Sequence, residues 1–133
     1  MRPANPRREF FWRAHLNGSP WVLDEEDQNL ILQTILGVCL HCGWTAYAAH
    51  VRTNHVHAVV SGEAKPERMV ADFKGYASRA FRALPNQSVR QRFWTKHGST
   101  RYLWNETGCK AAVEYVLNGQ GQRMVCYPDA STS

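Results

Sequence analysis

The chain has 133 residues, enough for one domain with a buried core but too few for two. Hydrophobic residues make up 44%, and no apolar run approaches the roughly 20 residues of a membrane-spanning helix, so we expect no membrane partner. Sixteen lysines and arginines against 11 carboxylates give a net charge of +5, which favours a nucleic-acid partner. A merely solvated basic surface is the alternative, and charge alone does not decide between the two. The N-terminus lacks the apolar stretch of a signal peptide, and we expect a cytoplasmic protein.

The first half of the chain predicts a strand, a helix and two further strands. Residues 1–9 are rich in proline and arginine and are expected to be flexible, and EFFWRAHL then predicts a strand. Asp24 is a suitable N-cap for a helix that ends at Gly43, because three acidic residues follow it in the first turn. WTAYAAHV and HVHAVVSG predict two strands joined by the short polar connection RTN.

The second half predicts two helices with a strand between them. Pro66 fits the first turn of a helix whose apolar residues recur every three or four positions until Pro85. RFWTKH and TRYLW predict a strand, or a bent pair of strands around Gly98. A third helix begins near Asn105 and ends at Gly119. The chain from Gln120 is expected to be loop-like with a short extended piece, RMVCYP, and residues 126–133 are expected to form a loose tail.

The order of these elements is β-α-β-β-α-β followed by one more helix. This order is typical of the ferredoxin-like α+β fold, with one antiparallel sheet and two helices on one of its faces. We therefore predict a single domain over residues 1–133, with an additional C-terminal helix.

Two histidines lie two positions apart in the strand HVHAVVSG. Alternate side chains of a strand point to the same face, so His55 and His57 share a face, with Cα atoms about 7 Å apart. Two imidazoles at that spacing can reach one cation and leave most of its coordination open to phosphate oxygens. The alternative is a pair of histidines that hydrogen-bond to their neighbours in the sheet.

Tyr115 lies on the third helix but away from its apolar side. At 100° per residue it projects roughly 140° from the centre of the apolar cluster, toward the polar side of the helix. A tyrosine in that position can attack a phosphodiester and hold the product as a phosphotyrosine. The alternative is an ordinary surface or interface tyrosine.

The four cysteines do not form a recognisable framework. CLHC is a single CxxC without the second pair that a zinc site requires, and we expect Cys39 to pack into the core.

NHVHAVV, a following helix and the later EYVLNGQG together resemble the HUH-type single-tyrosine transposases, which include the enzymes of small bacterial insertion sequences and the REP-associated tyrosine transposases. The resemblance implies that His55 and His57 bind Mg²⁺ or Mn²⁺. It also implies that Tyr115 attacks single-stranded DNA beside a hairpin, leaving a 5′-phosphotyrosine and a free 3′-hydroxyl. Insertion-sequence members are homodimers and REP-associated members can be monomers, so both states remain open.

The chain departs from this family at one position. Members often carry a third metal ligand, Gln or Asn, four residues after the tyrosine, where this chain has Gly119. Gln120 could turn inward from the helix end and supply an amide oxygen, and Asn118 is the alternative.

DNA contacts are predicted for four basic residues, each of which could equally be a solvated surface charge. Arg79 and Arg82 lie on the polar side of the second helix, and Lys96 and Arg101 flank Gly98. Trp94 and Trp104 could stack on unpaired bases, although core packing is expected for both.

Two other functions compete with a transposase. The departure at Gly119 would suit a non-catalytic or domesticated DNA-binding protein that retains the fold. The histidine pair would also suit a metal-dependent hydrolase that acts on a small phosphoester.

Overall fold

Five strands and three helices make up the part of the chain that the computed structural model describes, residues 8–16, 23–84, 94–119 and 124–128, without the side chains of residues 96 and 97. The strands are β1 (Arg8–Leu16), β2 (Thr45–Val51), β3 (His55–Gly62), β4 (Trp94–Tyr102) and β5 (Val125–Tyr127). The helices are α1 (Glu25–Cys42), α2 (Pro66–Arg82) and α3 (Glu106–Asn118). No helix among these residues is both long enough and apolar enough to cross a bilayer.

The helix ends follow the local signals of the sequence. Asp24 accepts a hydrogen bond from the backbone N–H of Asp27, and the Asp27 carboxylate accepts one from the N–H of Asp24. Gly43 ends α1 in the left-handed conformation at φ 75°, and Pro66 occupies the first turn of α2. Asn105 caps α3 by accepting a hydrogen bond from the N–H of Gly108 at 2.7 Å.

The strands form one antiparallel sheet in the order β4-β1-β3-β2-β5. The first four are in the ferredoxin-like order, and the predicted α+β fold with an additional C-terminal helix is confirmed. β4 is one strand along β1 and not a pair of strands, but its pairing shifts in register between Ala14 and Leu16 of β1. Gly98 lies opposite Ala14 in this pairing, and a Cβ at Gly98 would come within 2.9 Å of the Arg13 carbonyl oxygen.

Two of the predicted boundaries are corrected. Arg8 and Glu9, expected in the flexible N-terminal segment, begin β1, because they pair with the end of β3. Cys126 and Tyr127, expected in the loose tail, pair with β2 as part of β5, which confirms the short extended piece within RMVCYP. Residues 1–7 and 129–133 lie outside the described residues.

Each face of the sheet has its own apolar core. One face packs against α1 and α2, around residues such as Trp12, Val56 and Phe73. The opposite face packs against α3 through a smaller cluster formed by Phe11, Ala48, Val59, Ala112 and Val116. Because strand residues alternate between the two faces, the odd-numbered residues of β3 lie on the α3 side.

The CxxC residues have separate surroundings. Cys39 is packed in the larger core, as predicted, whereas Cys42 is exposed, and both are free thiols.

The larger core depends on Phe73, which is fully buried, with its ring stacked on Trp12 at 5.3 Å between centroids. We expect Phe73→Ala to lower the free energy of unfolding by about 3–5 kcal/mol, because truncation removes buried apolar surface and leaves a cavity. Urea denaturation measures this loss. Leu40→Ala is the control, since Leu40 is 85% exposed, and should change stability by less than about 0.5 kcal/mol. Equal losses for the two variants would contradict this view of the core.

Candidate active site

The two histidines of β3 lie in the middle of the sheet, on the face covered by α3. His55 and His57 have ring centroids 4.7 Å apart. β1 places His15 opposite His55 and Arg13 opposite His57. On the other side, β2 places His50 opposite His57. The site is therefore built across three neighbouring strands.

His55 is held in one tautomer by its neighbour. The Nδ1 atom of His55 lies 2.7 Å from Oδ1 of Asn54, and an amide oxygen can only accept, so Nδ1 carries the proton. In the neutral form of this ring, the Nε2 atom therefore keeps its lone pair. A metal-binding histidine is commonly oriented in this way, with one ring nitrogen donating to an oxygen and the other facing the ion.

His57 is almost fully buried and is neutral. Only 3% of its surface is exposed, and its Nδ1 atom is buried without a hydrogen-bond partner. Burial lowers the pKa of His57 from 6.5 to about 3, and the positive charges of His55 and Arg13 act in the same direction. A neutral imidazole with an unpaired ring nitrogen is the form that binds a metal ion.

The side chains of this site can supply two of the ligands of one divalent ion. His55 and the neutral His57, side by side, supply nitrogen ligands. Within the described residues, no three His, Cys, Asp or Glu side chains are grouped so that they could hold one ion. Of the predicted third ligands, Gln120 lies outside the described residues, and Asn118 donates from its side-chain amide to Oε1 of Glu114 at 2.9 Å.

Tyr115 reaches the histidine pair within the same chain. Its ring centroid lies 6.0 Å from that of His57 and 6.1 Å from that of Phe11, and 47% of its surface is exposed. The helical wheel indicated a tyrosine outside the apolar side of α3. The structure places it at the margin of that side, where the ring contacts the sheet and stays accessible to solvent.

Gly119 follows Tyr115 by one turn and packs against it. A Cβ added to Gly119 would lie 2.7 Å from Cδ1 of the Tyr115 ring and 2.9 Å from the Tyr115 carbonyl oxygen. A side chain at this position would therefore displace the ring from where it lies.

His50 ties the end of α3 to the sheet and was missed by the sequence analysis. It is completely buried, and its Nε2 atom accepts a hydrogen bond from the N–H of Met124 at 2.8 Å. Nδ1 therefore carries the proton and donates to the carbonyl of Val116 at 2.9 Å. Val116 follows Tyr115, so this pair of hydrogen bonds helps to fix the tyrosine's helix. Its alternation with Ala48 indicates only the face of β2 on which it lies, whereas its place beside His57 follows from strand pairing.

The predicted basic residues are divided between the two faces. Arg101 lies near the site, with its guanidinium 5.6 Å from the centre of the Phe11 ring. Arg79 and Arg82 belong to α2, on the opposite side of the sheet, where Arg79 stacks on Tyr76. The side chain of Lys96 lies outside the described part. Arg13, which was not predicted, is exposed directly beside His57.

The two tryptophans near β4 have opposite environments. Trp94 is buried, and its Nε1–H lies 3.2 Å from both the Lys74 carbonyl and Oγ of Ser78. The expectation of core packing is wrong for Trp104, which is 83% exposed.

The sequence and the fold both match known proteins. The family model described as "Transposase IS200 like" matches residues 19–118. A REP-associated tyrosine transposase bound to a REP hairpin superposes with a TM-score of 0.69 at 14% identity, covering 90% of this chain and 70% of the other. A provisionally assigned transposase of Deinococcus radiodurans R1 gives a TM-score of 0.63 at 18% identity, with 90% and 95% covered. A search of curated proteins gives no match.

The lowered pKa of His57 predicts acid destabilisation without added metal. Between pH 6.5 and about 3 the unfolded chain binds a proton at this residue that the folded chain does not, so stability falls as the pH falls. Each unit by which the pH falls in this window lowers the free energy of unfolding by up to about 1.4 kcal/mol. Urea denaturation between pH 5 and 7 measures the slope. His57→Gln should flatten it and His41→Gln, at an exposed site, should not; an unchanged slope in His57→Gln would contradict the assignment.

Because His50 forms two hydrogen bonds near the end of α3, replacing it should loosen this part of the helix. We expect His50→Ala to lower the free energy of unfolding by about 2–4 kcal/mol, because the Val116 carbonyl and the Met124 N–H lose their partner. Hydrogen exchange should accelerate most in the last turn of α3. Acceleration spread evenly over α1 and α3 would show that His50 does not hold this helix in particular.

Proposed function

Since the chain belongs to the IS200-like transposase family, we propose that it cleaves and rejoins single-stranded DNA with Tyr115 as the nucleophile. His55 and His57 would hold a divalent ion beside the attacked phosphate. The family assignment supports a transposase, and the finer mechanism is inferred from the geometry of the site.

The observation that carries this proposal is the contact between Tyr115 and His57, 6.0 Å between ring centroids. The two groups come from α3 and β3, which are distant in the sequence, and meet on one face of the sheet. A nucleophile and a candidate metal-binding pair in one chain supply both chemical parts that strand cleavage requires.

The reaction exchanges one phosphodiester for another. The Tyr115 phenol loses its proton and forms a bond to phosphorus, while the bond from phosphorus to the 3′ oxygen breaks and that oxygen takes up a proton. The products are a 5′-phosphotyrosine and a free 3′-hydroxyl, and attack by a 3′-hydroxyl reverses the step. Because the number of phosphoester bonds is conserved, no external energy source is needed.

The described residues prepare the site for a divalent ion and a phosphate. Asn54 orients His55, and burial keeps His57 neutral. When bound, Mg²⁺ or Mn²⁺ supplies Lewis-acid stabilisation of the charge on the phosphate. Arg13 and Arg101 add positive charge on the same face, which favours an approaching phosphate backbone.

The proposed substrate is a single strand that carries a hairpin. This is supported by the fold shared with a REP-associated tyrosine transposase that was solved with a REP hairpin. Because the histidine pair and Tyr115 meet within one chain, a monomer is sufficient for the arrangement seen here, and a homodimer that exchanges α3 is compatible with it.

A non-catalytic DNA-binding protein is the second candidate. It is favoured by Gly119, which provides no side chain at the position of the family's third ligand and packs directly on Tyr115. Such a protein would bind the same DNA without forming a covalent product.

Covalent adduct formation tests the proposal. We expect the protein, incubated with Mg²⁺ and a labelled hairpin oligonucleotide from its own genomic flanks, to yield a protein–DNA adduct that survives denaturing electrophoresis. Tyr115→Phe should abolish the adduct, because it removes the attacking oxygen, and His57→Ala or a chelator should reduce it strongly.

Tyr76→Phe is the matched control, since Tyr76 is also 47% exposed but lies on the opposite face of the sheet. It should form the adduct at the parental rate. An adduct that persists in Tyr115→Phe would disprove the nucleophile, and salt-sensitive DNA binding without any adduct would establish the non-catalytic alternative.

A further inference from the structure

An exposed aromatic pair lies at the end of β4 and in its connection to α3. Trp104 is 83% exposed and Tyr102 is 37% exposed, and their ring centroids are 5.1 Å apart with 31° between the ring planes. Water-exposed tryptophan is unusual in a folded domain, and Trp12 and Trp94 of this chain are both buried. We call Tyr102 and Trp104 the aromatic shelf.

A groove connects the aromatic shelf to Tyr115. Its volume is about 320 Å³ and it is lined by Arg101, Tyr102, Trp104, Gly108, Ala111 and Tyr115. Small side chains at Gly108 and Ala111 leave the groove open along α3. One end therefore reaches the proposed nucleophile, and the other reaches the shelf.

The charge of this groove suits a nucleic-acid strand. Arg101 supplies a cation, and no carboxylate lines the groove among the described residues. A larger cavity of about 930 Å³ on the other side of Trp104 combines Arg8 and Lys110 with Glu9 and Glu106, so its charge is mixed. Lys110 is also paired with Glu106 at 3.3 Å. The groove toward Tyr115 is the better path for a polyanion.

We propose that the aromatic shelf stacks an unpaired base of the DNA strand held at Tyr115, with Arg101 contacting a phosphate between them. This inference rests on the proposed function and adds to it a subsite for the strand that flanks the cleaved bond. Aromatic side chains bind single strands in this way because every base has a flat π surface, whereas paired bases are not accessible.

The length of α3 sets the distance to the stacked base. Glu106, where α3 begins, and Tyr115 are separated by about 14 Å along the helix axis, at 1.5 Å per residue. A stacked strand advances about 3.4 Å per nucleotide, so the base lies up to about four nucleotides from the attacked phosphate.

Binding measured in the Tyr115→Phe background separates the shelf from the chemistry. Fluorescence anisotropy is recorded with two oligonucleotides, a hairpin with an unpaired flank and the same hairpin without the flank. We expect Trp104→Ala to weaken binding of the flanked hairpin about tenfold and to leave the blunt hairpin unchanged. Trp104→Phe should retain most of the affinity, because it keeps an aromatic face, and Leu40→Ala is the control for an exposed apolar residue.

A series of flanks, each with one abasic nucleotide at a different position, locates the stacked base. Where the missing base is the one on the shelf, Trp104→Ala should cause no further loss of affinity, because the two changes remove the same contact. Arg101→Ala should weaken binding to all flanks and reduce the salt dependence by about one phosphate contact.

Three results would overturn the proposal. The first is that Trp104→Ala binds the flanked hairpin with the affinity of the parent protein. The second is that Trp104→Ala loses affinity equally for the flanked and the blunt hairpin. The third is a change of sedimentation showing that Trp104 joins two copies of the chain. If one of these results is found and the wild-type chain still forms the adduct, the role of the aromatic shelf is disproved and the proposed function stands. Shelf-dependent binding without an adduct in the wild-type chain would remove the catalytic function and leave the shelf intact.

Discussion

The antiparallel register of β1, β3 and β2 determines which side chains can meet in this protein. It sets Arg13 and His50 on either side of His57, and His15 beside His55. A shift of one residue in either pairing would move these side chains to the face covered by α1 and α2. The pairing of β1 with β3 extends from Arg8 to His15, so the register is fixed by a long ladder and by the large core beneath it.

The second constraint is the smaller core under α3. Phe11, Val59 and Val116 hold this helix against the sheet, and His50 adds two buried hydrogen bonds near its end. Tyr115 depends on these contacts for its position, although its own ring is half exposed. The apolar cluster thus provides the rigid support, and the polar site lies at its edge, where Tyr115 is accessible to solvent.

Local sequence signals were sufficient for the order of the elements and for the face of β3 that carries the two histidines, but not for the ends of β1 and β5. The caps of α1, the proline that opens α2 and the alternation around His55 and His57 all act within a few residues. The neighbours of His57 could not be found in this way, because Arg13 and His50 join the site only through strand pairing. The exposure of Trp104 was likewise missed, since an aromatic residue beside a strand is usually buried and nothing local distinguishes it from Trp94.

The absence of a side chain at Gly119 has a consequence for the position of the Tyr115 ring. The Tyr115 ring occupies the space that a Cβ there would need. A mutation that introduced an amide at position 119 would have to be accompanied by a new rotamer of the tyrosine or by a shift of the helix end. The residue at position 119 therefore helps to determine where the phenol oxygen of Tyr115 lies, although it contributes no atom of its own to the site.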